Sequence, residues 1–407
     1  MSQRPRPVLA PLLLLLVAAA GPSAAQSRLQ HLTDPVTGAK ITRFVSSQHE
    51  NHHYYFVSPW SPDETRIAFF RFDPQVDTLT ATGRYPGSLW VMDADGGDER
   101  KLVAGLKGHY HVGVNQLWGP DGKYVYFMDN RSGPSVMARV SVEGGPVERV
   151  NTPVPCTRLS PDGKKLSCGT GLEQGVYDLA KKEYQPLVTL ERALALTPNR
   201  ALTVNNPSVL QNTRFSPTGD RVMIVHRTTE DFPKLVEVFV YDFATQQLQW
   251  LAGDLHHPTW RPDGQAILFP RHDPLTNVQT LIEVDAKTGV ERVAFDAEHV
   301  PAGHPSYHPL KQHLVVTDVY GGPLGNGLAL IDLKAGTIRP LVTIPLGAKP
   351  ELPADERFPF RNWGLWFPAR KYLNEPRPVW NQDGTKILFT SQESGRINLY
   401  IVDTSDL

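Results

Sequence analysis

A repeated strand-turn-strand unit constrains the fold of this chain more than any other feature. The unit reads as an aromatic or apolar residue, a variable residue, a turn of the Pro-Asp-Gly type, and then alternating polar and apolar residues. Copies occupy residues 59–70, 117–128, 158–169, 214–225, 259–270, 306–317 and 379–390. Proline suits the first corner of a tight turn, and aspartate and glycine suit the next corners. The alternation after each turn is typical of a β-strand with one buried face.

Further apolar stretches follow several of these copies, for example SLWVMD, EVFVYD and NLYIVD. Four short antiparallel strands in a repeat of roughly 40 to 60 residues are typical of a propeller blade. The 32 glycines and 36 prolines among 407 residues favour many turns over long helices. We therefore predict an all-β, seven-bladed β-propeller of four-stranded antiparallel blades, in which residues 26–407 form a single domain.

Two details of this repeat carry separate expectations. The strand before blade one and the last strands after blade seven are expected to share one sheet, because this closes the ring and removes exposed sheet edges. The segment LTPNRALTV at residues 196–204 resembles the repeat. It lies too close to the next copy to begin a blade of its own.

The N-terminal residues 1–25 have the layout of a secretory signal peptide. Arg4 and Arg6 precede the apolar run at residues 8–20, and small residues follow up to Ala25. The run is shorter than the roughly 20 residues that a membrane helix needs, so an uncleaved anchor is the less favoured alternative. We predict cleavage after Ala25, a periplasmic or secreted mature protein, and no membrane span after cleavage.

The charge of the chain is nearly balanced, with 41 basic and 42 acidic side chains and a formal net charge of −1. No overall field therefore attracts nucleic acid, and we expect no nucleic-acid partner. A charged substrate has to be bound by a local cluster of side chains.

The two cysteines, Cys156 and Cys168, flank the repeat turn at residues 160–163. If that turn closes a hairpin, the two residues lie almost opposite each other on adjacent strands. A disulfide is plausible in an oxidising compartment, and two buried free thiols are the alternative.

One position of the repeat predicts a functional site. The strand that leads into each turn is expected to be the innermost of its blade, so the residues five positions before the turn proline should form a ring around the channel. These are Val57, Asn115, Cys156, Asn212, His257, His304 and Arg377. Hydrophobic residues would suit a merely packed channel, so the polar members from blades five to seven indicate a site.

Other polar residues are expected near this ring. His226 ends the second strand of blade four, Glu375 lies two residues before Arg377, His52 precedes blade one, and His111 leads into blade two. Arg377 either pairs with Glu375 or binds a substrate carboxylate, which guanidinium matches with two hydrogen bonds. For His226 the alternative is a solvent-exposed histidine at the end of its strand that has no functional role.

Several segments together resemble the oligogalacturonate lyase family of seven-bladed propellers: HHYYF, VHRTTEDF, HHPTWRPDG, GHPSYHP and RPVWNQDGTKILFT. The resemblance implies β-elimination of short, acidic uronate oligosaccharides, a divalent metal that is usually manganese, and a histidine as base. It assigns His226 to the base and His257 to a metal ligand. His52 and His304 match further histidines of the family pattern.

The chain departs from that family at the start of blade seven. The family has a glutamine followed by His-Pro-His, where this chain has Tyr372, Glu375 and Arg377. Glu375 could still bind Mn²⁺ with His257 and His304. Arg377 cannot bind a metal because guanidinium stays protonated, but it can neutralise the carboxylate charge that develops during elimination.

The resulting hypothesis assigns catalysis to His226 and Arg377, with His111 as the alternative base if the groove is shifted. Substrate binding is assigned to His52, His111 and Arg377, and the metal site to His257, His304 and Glu375. Ulvan lyases are also propellers that use histidine, tyrosine and arginine, so another uronate polymer is an open alternative. The competing class is a non-catalytic periplasmic binding or scaffold module resembling the Tol-Pal propeller.

Overall fold

Seven antiparallel sheets follow one another along the chain, each with a strand that leads into a repeat turn at one edge. The computed structural model describes residues 28–79, 83–204, 206–229, 235–272, 279–297, 303–320, 324, 326–343 and 375–407. This arrangement confirms the seven-bladed β-propeller. The predicted signal peptide lies outside the described residues, and none of the described helices reaches the length and apolarity needed to cross a membrane.

The first six blades have four strands each, in sequence order from one edge to the other. Blades one to three contain β3 (Glu50–Asn51), β4 (Arg66–Phe72), β5 (Arg84–Asp93), β6 (Arg100–His109), β7 (Leu117–Trp118), β8 (Tyr124–Asp129), β9 (Val136–Ser141), β10 (Glu148–Arg149), β11 (Cys156–Leu159), β12 (Lys165–Gly169), β13 (Glu173–Asp178) and β14 (Glu183–Thr189). Blades four to six contain β15 (Ser208–Phe215), β16 (Arg221–Thr228), β17 (Val236–Asp242), β18 (Leu248–Gly253), β19 (Thr259–Trp260), β20 (Ala266–His272), β21 (Gln279–Asp285), β22 (Glu291–Ala297), β23 (Ser306–Tyr307), β24 (Leu314–Tyr320), β25 (Asn326–Asp332) and β26 (Thr337–Val342).

Blade seven closes the ring with strands from both ends of the described chain. It contains β27 (Val379–Trp380), β28 (Lys386–Ser391), β29 (Asn398–Asp403), β2 (Lys40–Phe44) and β1 (Leu29–Thr33) in that spatial order. The register pairs Ile41 with Val402. The expected shared sheet is therefore confirmed, and β1 adds a fifth strand to the four that were predicted.

The hydrophobic core lies between the faces of neighbouring blades. Between blades four and five, for example, Val225 and Val240 pack with Ile267 and Phe269, and all four side chains are almost fully buried. Similar clusters join the other neighbouring blades. Burial of each such side chain contributes about 1.5 to 3 kcal/mol, which holds every blade against the next one.

The repeat turns have a common geometry that explains their sequence. In blade three, the Asp162 carboxylate accepts hydrogen bonds from Ser160 Oγ at 2.6 Å and from the Lys164 backbone N–H at 3.1 Å. Gly163 has φ of 70°, a left-handed conformation that glycine adopts without steric cost. In blade one, Glu64 takes the glycine place with φ of 59°, and its carboxylate accepts a hydrogen bond from Asn381 Nδ2 of blade seven at 3.1 Å.

The structure also shows the state of the two cysteines and of the segment at residues 196–204. Cys156 and Cys168 are paired residues on β11 and β12 and form a disulfide. The LTPNRALTV segment does not form blade strands. It follows the helix α1 (Leu190–Leu196) and contains the short 3₁₀-helix at Arg200–Thr203.

Candidate functional site

The ring position has an unusual backbone conformation in four of the seven blades. Asn115, Asn212, His257 and Arg377 have φ of 54°, 52°, 43° and 49°. Few residues other than glycine adopt this left-handed region, and in blade four the strand pairing shifts register at this position, as in a β-bulge. The bulge turns the side chain at the ring position out of the regular alternation of the strand.

A channel segment, residues 52–57, connects β3 to the first repeat turn and contacts several other blades. Its Tyr54 hydroxyl contacts His257 and His304 of blades five and six. Tyr55 donates its hydroxyl hydrogen to the Pro258 carbonyl at 3.0 Å. Phe56 lies against the guanidinium group of Arg214 in blade four. The channel segment therefore lies across the channel and brings aromatic side chains to its centre.

Tyr54, His257 and His304 form a compact group, which we call the histidine-tyrosine group. The Tyr54 hydroxyl oxygen is 3.0 Å from Nε2 of His257 and 3.0 Å from Nε2 of His304. The two imidazole rings stack with their centroids 4.1 Å apart. His257 and His304 therefore lie close together, as predicted, and the Nε2 atoms of both face the Tyr54 hydroxyl group.

The hydrogen bonds of the outer ring nitrogens define the protonation of this group. His257 Nδ1 is 2.7 Å from the Gly303 carbonyl oxygen, which can only accept, so this nitrogen carries the hydrogen. His304 Nδ1 is 2.8 Å from Oδ2 of Asp318. Since both Nδ1 atoms donate outward, the Nε2 atoms of both rings face the single hydroxyl hydrogen of Tyr54, which can be donated to only one of them. Tyr54 therefore bridges the two rings through one hydrogen.

Asp318 on β24 is the buried carboxylate behind this group. It accepts hydrogen bonds from the His304 backbone N–H at 2.7 Å and from the Arg377 backbone N–H at 3.1 Å, besides the imidazole. Its side chain is fully buried. Asp318 thereby holds His304 in one orientation and fixes blade six against blade seven at the channel.

Glu375 and His111 form a second pair beside the histidine-tyrosine group. Oε2 of Glu375 is 3.1 Å from Nε2 of His111 and 3.9 Å from Nε2 of His304. Burial would raise the pKa of Glu375, but its contact with His111, and then the neighbouring His304 and Arg377, outweigh burial and hold that pKa well below its usual value. Glu375 is therefore an anion at neutral pH, and His111 is the more exposed member of the pair.

Arg377 lies beneath this surface and holds three parts of the chain together. Its Nε donates to the Glu375 carbonyl at 3.0 Å, one terminal nitrogen donates to the His111 carbonyl, and the other donates to Oδ1 of Asn51 at 2.8 Å. The residue is fully buried. The sequence left two roles open for Arg377, an ion pair with Glu375 or contact with a substrate carboxylate. The observed hydrogen bond to Glu375 goes to its backbone carbonyl. Contact with a substrate stays a prediction.

His226 lies in blade four, one strand out from the channel. Its Nδ1 donates to Oε2 of Glu237 at 2.9 Å, and both side chains are fully buried. The Glu237 carboxylate also accepts hydrogen bonds from Thr197 at 2.6 Å, Asn199 at 2.9 Å and Trp250 at 3.0 Å. Burial would raise the pKa of Glu237, but these donors and His226 lower it. Nε2 of His226 is buried and has no hydrogen-bond partner among the described residues.

The register of blade four shows at which end of the channel His226 lies. His226 pairs with Leu210, two residues before the ring position Asn212. Glu375 likewise lies two residues before the ring position Arg377. His226 and Glu375 therefore lie toward the same end of the channel, the end away from the repeat turns. Within the described part of the chain, the side chain of His226 has its hydrogen bond and ion pair with Glu237 and its ring contact with Phe239, and none of these joins it to Tyr54, His257 or His304.

His52 is also fully buried, at the start of the channel segment. Its Nε2 is 3.4 Å from the Pro376 carbonyl oxygen, and its Nδ1 has no hydrogen-bond partner among the described residues. Burial and then the charge of Arg377 lower the pKa of His52 well below its ordinary value. The imidazole is therefore neutral, and its predicted role in substrate binding is not tested by this arrangement.

The residues predicted to hold Mn²⁺ do not fit a metal ion in this arrangement. Both Nε2 atoms that would coordinate it are hydrogen-bonded to Tyr54. The described residues contain no group of three or more histidine, cysteine or acidic side chains in a metal-binding arrangement. The position of Tyr372, which matches the family's glutamine, lies outside the described residues. Manganese binding by His257, His304 and Glu375 is therefore not confirmed.

The sequence analysis assigned no role to Tyr54 of the histidine-tyrosine group or to Asp318 behind it. Tyr54 lies in the HHYYF run, where only His52 was assigned a role. Asp318 lies inside the VVTD stretch of a buried strand. A buried aspartate in a core strand needs a hydrogen-bonding partner, and this requirement is the sequence signal that could have identified Asp318.

Comparisons with known proteins identify solved structures that have a similar fold. No protein-family model and no curated protein sequence matches the chain. Among solved structures, an oligogalacturonate lyase in complex with manganese is similar with a TM-score of 0.68 and 15% identity, over 92% of this chain and 96% of that one. The oligogalacturonate lyase from Vibrio parahaemolyticus is similar with a TM-score of 0.66 and 14% identity, over the same shares of the two chains.

A third similar structure is the β-propeller domain of the Trilobed protease from Pyrococcus furiosus. Its TM-score is 0.53 at 12% identity, over 87% of this chain and 95% of that one. At such low identities these likenesses show a shared propeller fold. They leave the chemistry to be argued from the residues of this chain.

Proposed function

We propose that this protein is a lyase that cleaves oligogalacturonate or a related uronate oligosaccharide by β-elimination at the channel end that bears the histidine-tyrosine group. The observation that carries the proposal is the Tyr54 hydroxyl held between Nε2 of His257 and Nε2 of His304, with Asp318 behind His304. The likeness in fold to two oligogalacturonate lyases supports the choice of substrate class.

The reaction makes three demands on a site. A base removes the proton at C5 of the uronate, the bond between C4 and its glycosidic oxygen breaks as a C4–C5 double bond forms, and the departing oxygen takes up a proton. The negative charge that moves onto the carboxylate must also be stabilised. No water enters the products, so one of them carries the double bond instead.

His226 is the base in this proposal. Glu237 accepts the hydrogen of Nδ1, so the lone pair on Nε2 is free of any partner among the described residues. A carboxylate behind an imidazole fixes its tautomer and stabilises the imidazolium that forms when the other nitrogen takes a proton. His111 is the alternative base, because it is partly exposed beside Glu375.

Tyr54 supplies the proton to the departing oxygen. Burial, and then the charge of Glu375, raise the pKa of Tyr54 well above its ordinary value. The phenol therefore stays protonated at neutral pH, which suits an acid rather than a base. After each turnover the Tyr54 phenolate recovers a proton from solvent, which His257 or His304 can relay because the Nε2 lone pair of each lies within hydrogen-bond distance of the phenol oxygen. The base releases the C5 proton to solvent.

The substrate carboxylate is bound by His111 and lies above the positive charge of Arg377. His111 is 22% exposed and so can be reached from the channel, whereas Arg377 acts through the charge that it places beneath His111 and Glu375. His52 lies against the same Pro376–Arg377 backbone and supports the floor of this site. In this scheme His111 and Arg377 stabilise the negative charge of the substrate carboxylate, and no step requires a metal ion.

The test measures the ultraviolet absorbance of unsaturated uronate in mixtures of the purified protein with oligogalacturonate or ulvan fragments. Activity that survives a strong chelator supports the metal-free scheme, and activity that needs added Mn²⁺ restores the metal prediction. Absence of unsaturated product from every uronate, with and without Mn²⁺, overturns the lyase proposal in favour of a binding or scaffold propeller.

Variants separate the roles within the site. Changing His226 to alanine should lower kcat by about 10²- to 10⁴-fold, as expected for loss of a general base. Changing Tyr54 to phenylalanine should reduce kcat by a similar factor while the fold is kept. His313→Ala is the matched control because His313 is exposed near the opposite end of blade six. Equal activity of His226→Ala and His313→Ala would exclude His226 as the base.

A further inference from the structure

A cavity separate from the histidine-tyrosine group lies at the turn end of the channel. The histidine-tyrosine group stands at the ring position, whereas this cavity is lined by residues of the repeat turns, among them Trp60, Trp118, Trp260 and Trp380. Ring and tryptophan positions are three residues apart on each inner strand, which is roughly 10 Å of extended chain. The cavity has a volume of about 760 Å³, within the range of small-molecule sites.

Two arginines give this cavity a positive charge. Arg158 of blade three and Arg214 of blade four both line it, and both guanidinium groups lie over the ring of Phe56, at 5.2 Å and 4.1 Å from its centroid. Within the described residues, neither arginine has a carboxylate within ion-pair distance. Two cations are thus held side by side over one aromatic ring.

The hydrogen bonds of these arginines leave donors unused. One terminal nitrogen of Arg214 donates a hydrogen bond to the Pro258 carbonyl at 2.6 Å. One terminal nitrogen of Arg158 donates to the Thr157 carbonyl at 2.7 Å and to Oδ1 of Asn115 at 3.4 Å. Nε of each arginine is buried without a hydrogen-bond partner among the described residues. Arg214 is 7% exposed, and an unpaired charged group that is buried to this extent is costly.

Burial and repulsion act on Arg158 in the same direction. Burial first, and then the charge of Arg214, lower the pKa of Arg158 to about 9. An anion between the two guanidinium groups would relieve both effects, because it pairs both charges. The cavity therefore has an electrostatic reason to bind an anion.

The apolar part of the cavity limits the shape of that anion. The indole N–H groups of Trp118 and Trp380 point into neighbouring blades, where they donate to the carbonyls of Pro59 at 2.8 Å and Ser306 at 3.1 Å. Their rings are thereby fixed as parts of the cavity wall. Flat aromatic walls suit the face of a sugar or aromatic ring.

We propose that this turn-end cavity binds a small organic carboxylate that carries a ring, with the carboxylate between Arg158 and Arg214 and the ring against the tryptophans. The site is separate from the histidine-tyrosine group and does not rest on β-elimination. An acidic monosaccharide and an aromatic acid share this chemistry, and the experiment distinguishes them.

The experiment follows tryptophan fluorescence while sodium galacturonate, benzoate or galactose is added to the wild-type protein and to His226→Ala. A monosaccharide cannot be cleaved, and galactose is the uncharged counterpart of galacturonate. We expect saturable binding of at least one of the two acids, equal in both proteins and weaker at higher ionic strength, and no binding of galactose. The acid that binds more tightly identifies the source of the carboxylate.

Variants then locate the site. Arg158→Gln and Arg214→Gln should each weaken binding of the acid by about tenfold or more, and Arg84→Gln, at an exposed position on β5, should leave it unchanged. If one arginine variant does not fold, the difference between acid binding and galactose binding by the wild-type protein still tests the proposal. Binding of galactose as tight as that of galacturonate, or no binding of either acid, would overturn the proposal.

Discussion

At the scale of single residues, the ring position combines a backbone role with a chemical one. Asn115, Asn212, His257 and Arg377 share a left-handed conformation although their side chains differ. The conformation therefore belongs to the blade and not to the side chain. Blades five and seven use the position for His257 and Arg377, and blade four has an exposed Asn212 there.

Asn212 allows the backbone requirement to be measured apart from the site. Asn212→Gly should leave the free energy of unfolding unchanged or raise it by about 0.5 kcal/mol, because glycine adopts positive φ freely. Asn212→Val should lower it by about 1 to 2 kcal/mol, since a β-branched residue is strained there. Reversible urea unfolding measures both values, and equal stability of the two variants would show that the position imposes no such strain.

Asp129 at the end of β8 should contribute to the acid sensitivity of the fold. Its hydrogen bond from Arg131, with further bonds from the Arg131 backbone and Arg149, lowers its pKa to about 2, although burial acts in the opposite direction. The pKa of Asp129 is lower in the folded protein than its ordinary value of 3.8 in the unfolded chain. The ionised carboxylate therefore stabilises the fold at pH values above 3.8, and this stabilisation is lost as the pH falls toward 2. Arg131 and Arg149 are 36% and 44% exposed, so solvent weakens their interaction with Asp129. We therefore expect Asp129 to contribute about 1 to 2 kcal/mol to the free energy of unfolding.

The measurement is the free energy of unfolding of the wild-type protein and of Asp129→Asn at pH 6 and at pH 3. Between these values, the wild-type protein should lose more stability than the variant does. Asp406→Asn serves as control, because Asp406 is exposed at the end of the chain. Parallel losses in the wild-type protein and in Asp129→Asn would argue against this role of the carboxylate.

At the scale of elements, the closing blade depends on a strand that is distant in sequence. β2 pairs with β29, and Ile41 is buried with Tyr400 and Val402 in the cluster between blades six and seven. Asp34, directly after β1, accepts hydrogen bonds from Thr343 at the end of blade six. The ring is thus held closed by packing and by hydrogen bonds of the N-terminal strands.

Shortening Ile41 should therefore weaken the whole ring. Ile41→Ala is expected to lower the free energy of unfolding by about 2 to 4 kcal/mol, because it removes buried methyl groups and leaves a cavity. Val36→Ala is the control, since Val36 is 72% exposed in the turn between β1 and β2. Urea unfolding of both variants tests this, and a loss for Ile41→Ala no larger than that for Val36→Ala would mean that β2 contributes little to closure.

The disulfide of blade three is a second test at this scale. Cys156 and Cys168 are 12 residues apart, so the bond closes a short loop and should contribute about 2 to 3 kcal/mol. Replacing both cysteines by serine should lower the unfolding temperature, and a reductant should lower that of the wild-type protein but not that of the variant. An unfolding temperature that is the same with and without reductant would show that the bond contributes nothing.

At the scale of the whole molecule, the repeat was sufficient to predict the architecture. Blade number, the shared closing sheet and the convergence of His257 with His304 all follow from repeat position, because each blade places equivalent residues at equivalent points. The roles of Tyr54 and Asp318 could not be predicted in this way. Tyr54 reaches the site through the irregular channel segment, and Asp318 acts from a second strand that periodicity assigns to the core.

The tryptophan-arginine cavity shows the same limit of repeat-based prediction. The tryptophans belong to the repeat, yet Arg158 and Arg214 stand three residues before their turn prolines in blades three and four, where other blades have no arginine. What brings the two arginines together is Phe56 of the channel segment. The two ends of the channel therefore differ in chemistry, with imidazoles and carboxylates at one end and guanidinium groups and indoles at the other.

The mass of the products formed from a defined oligogalacturonate in heavy-oxygen water tests the central claim most directly. Elimination predicts that one product of each cleavage is lighter by one water than the corresponding hydrolysis product, and that neither product takes up the label. Cleavage with incorporated heavy oxygen, or no cleavage of any uronate oligosaccharide, would contradict the account.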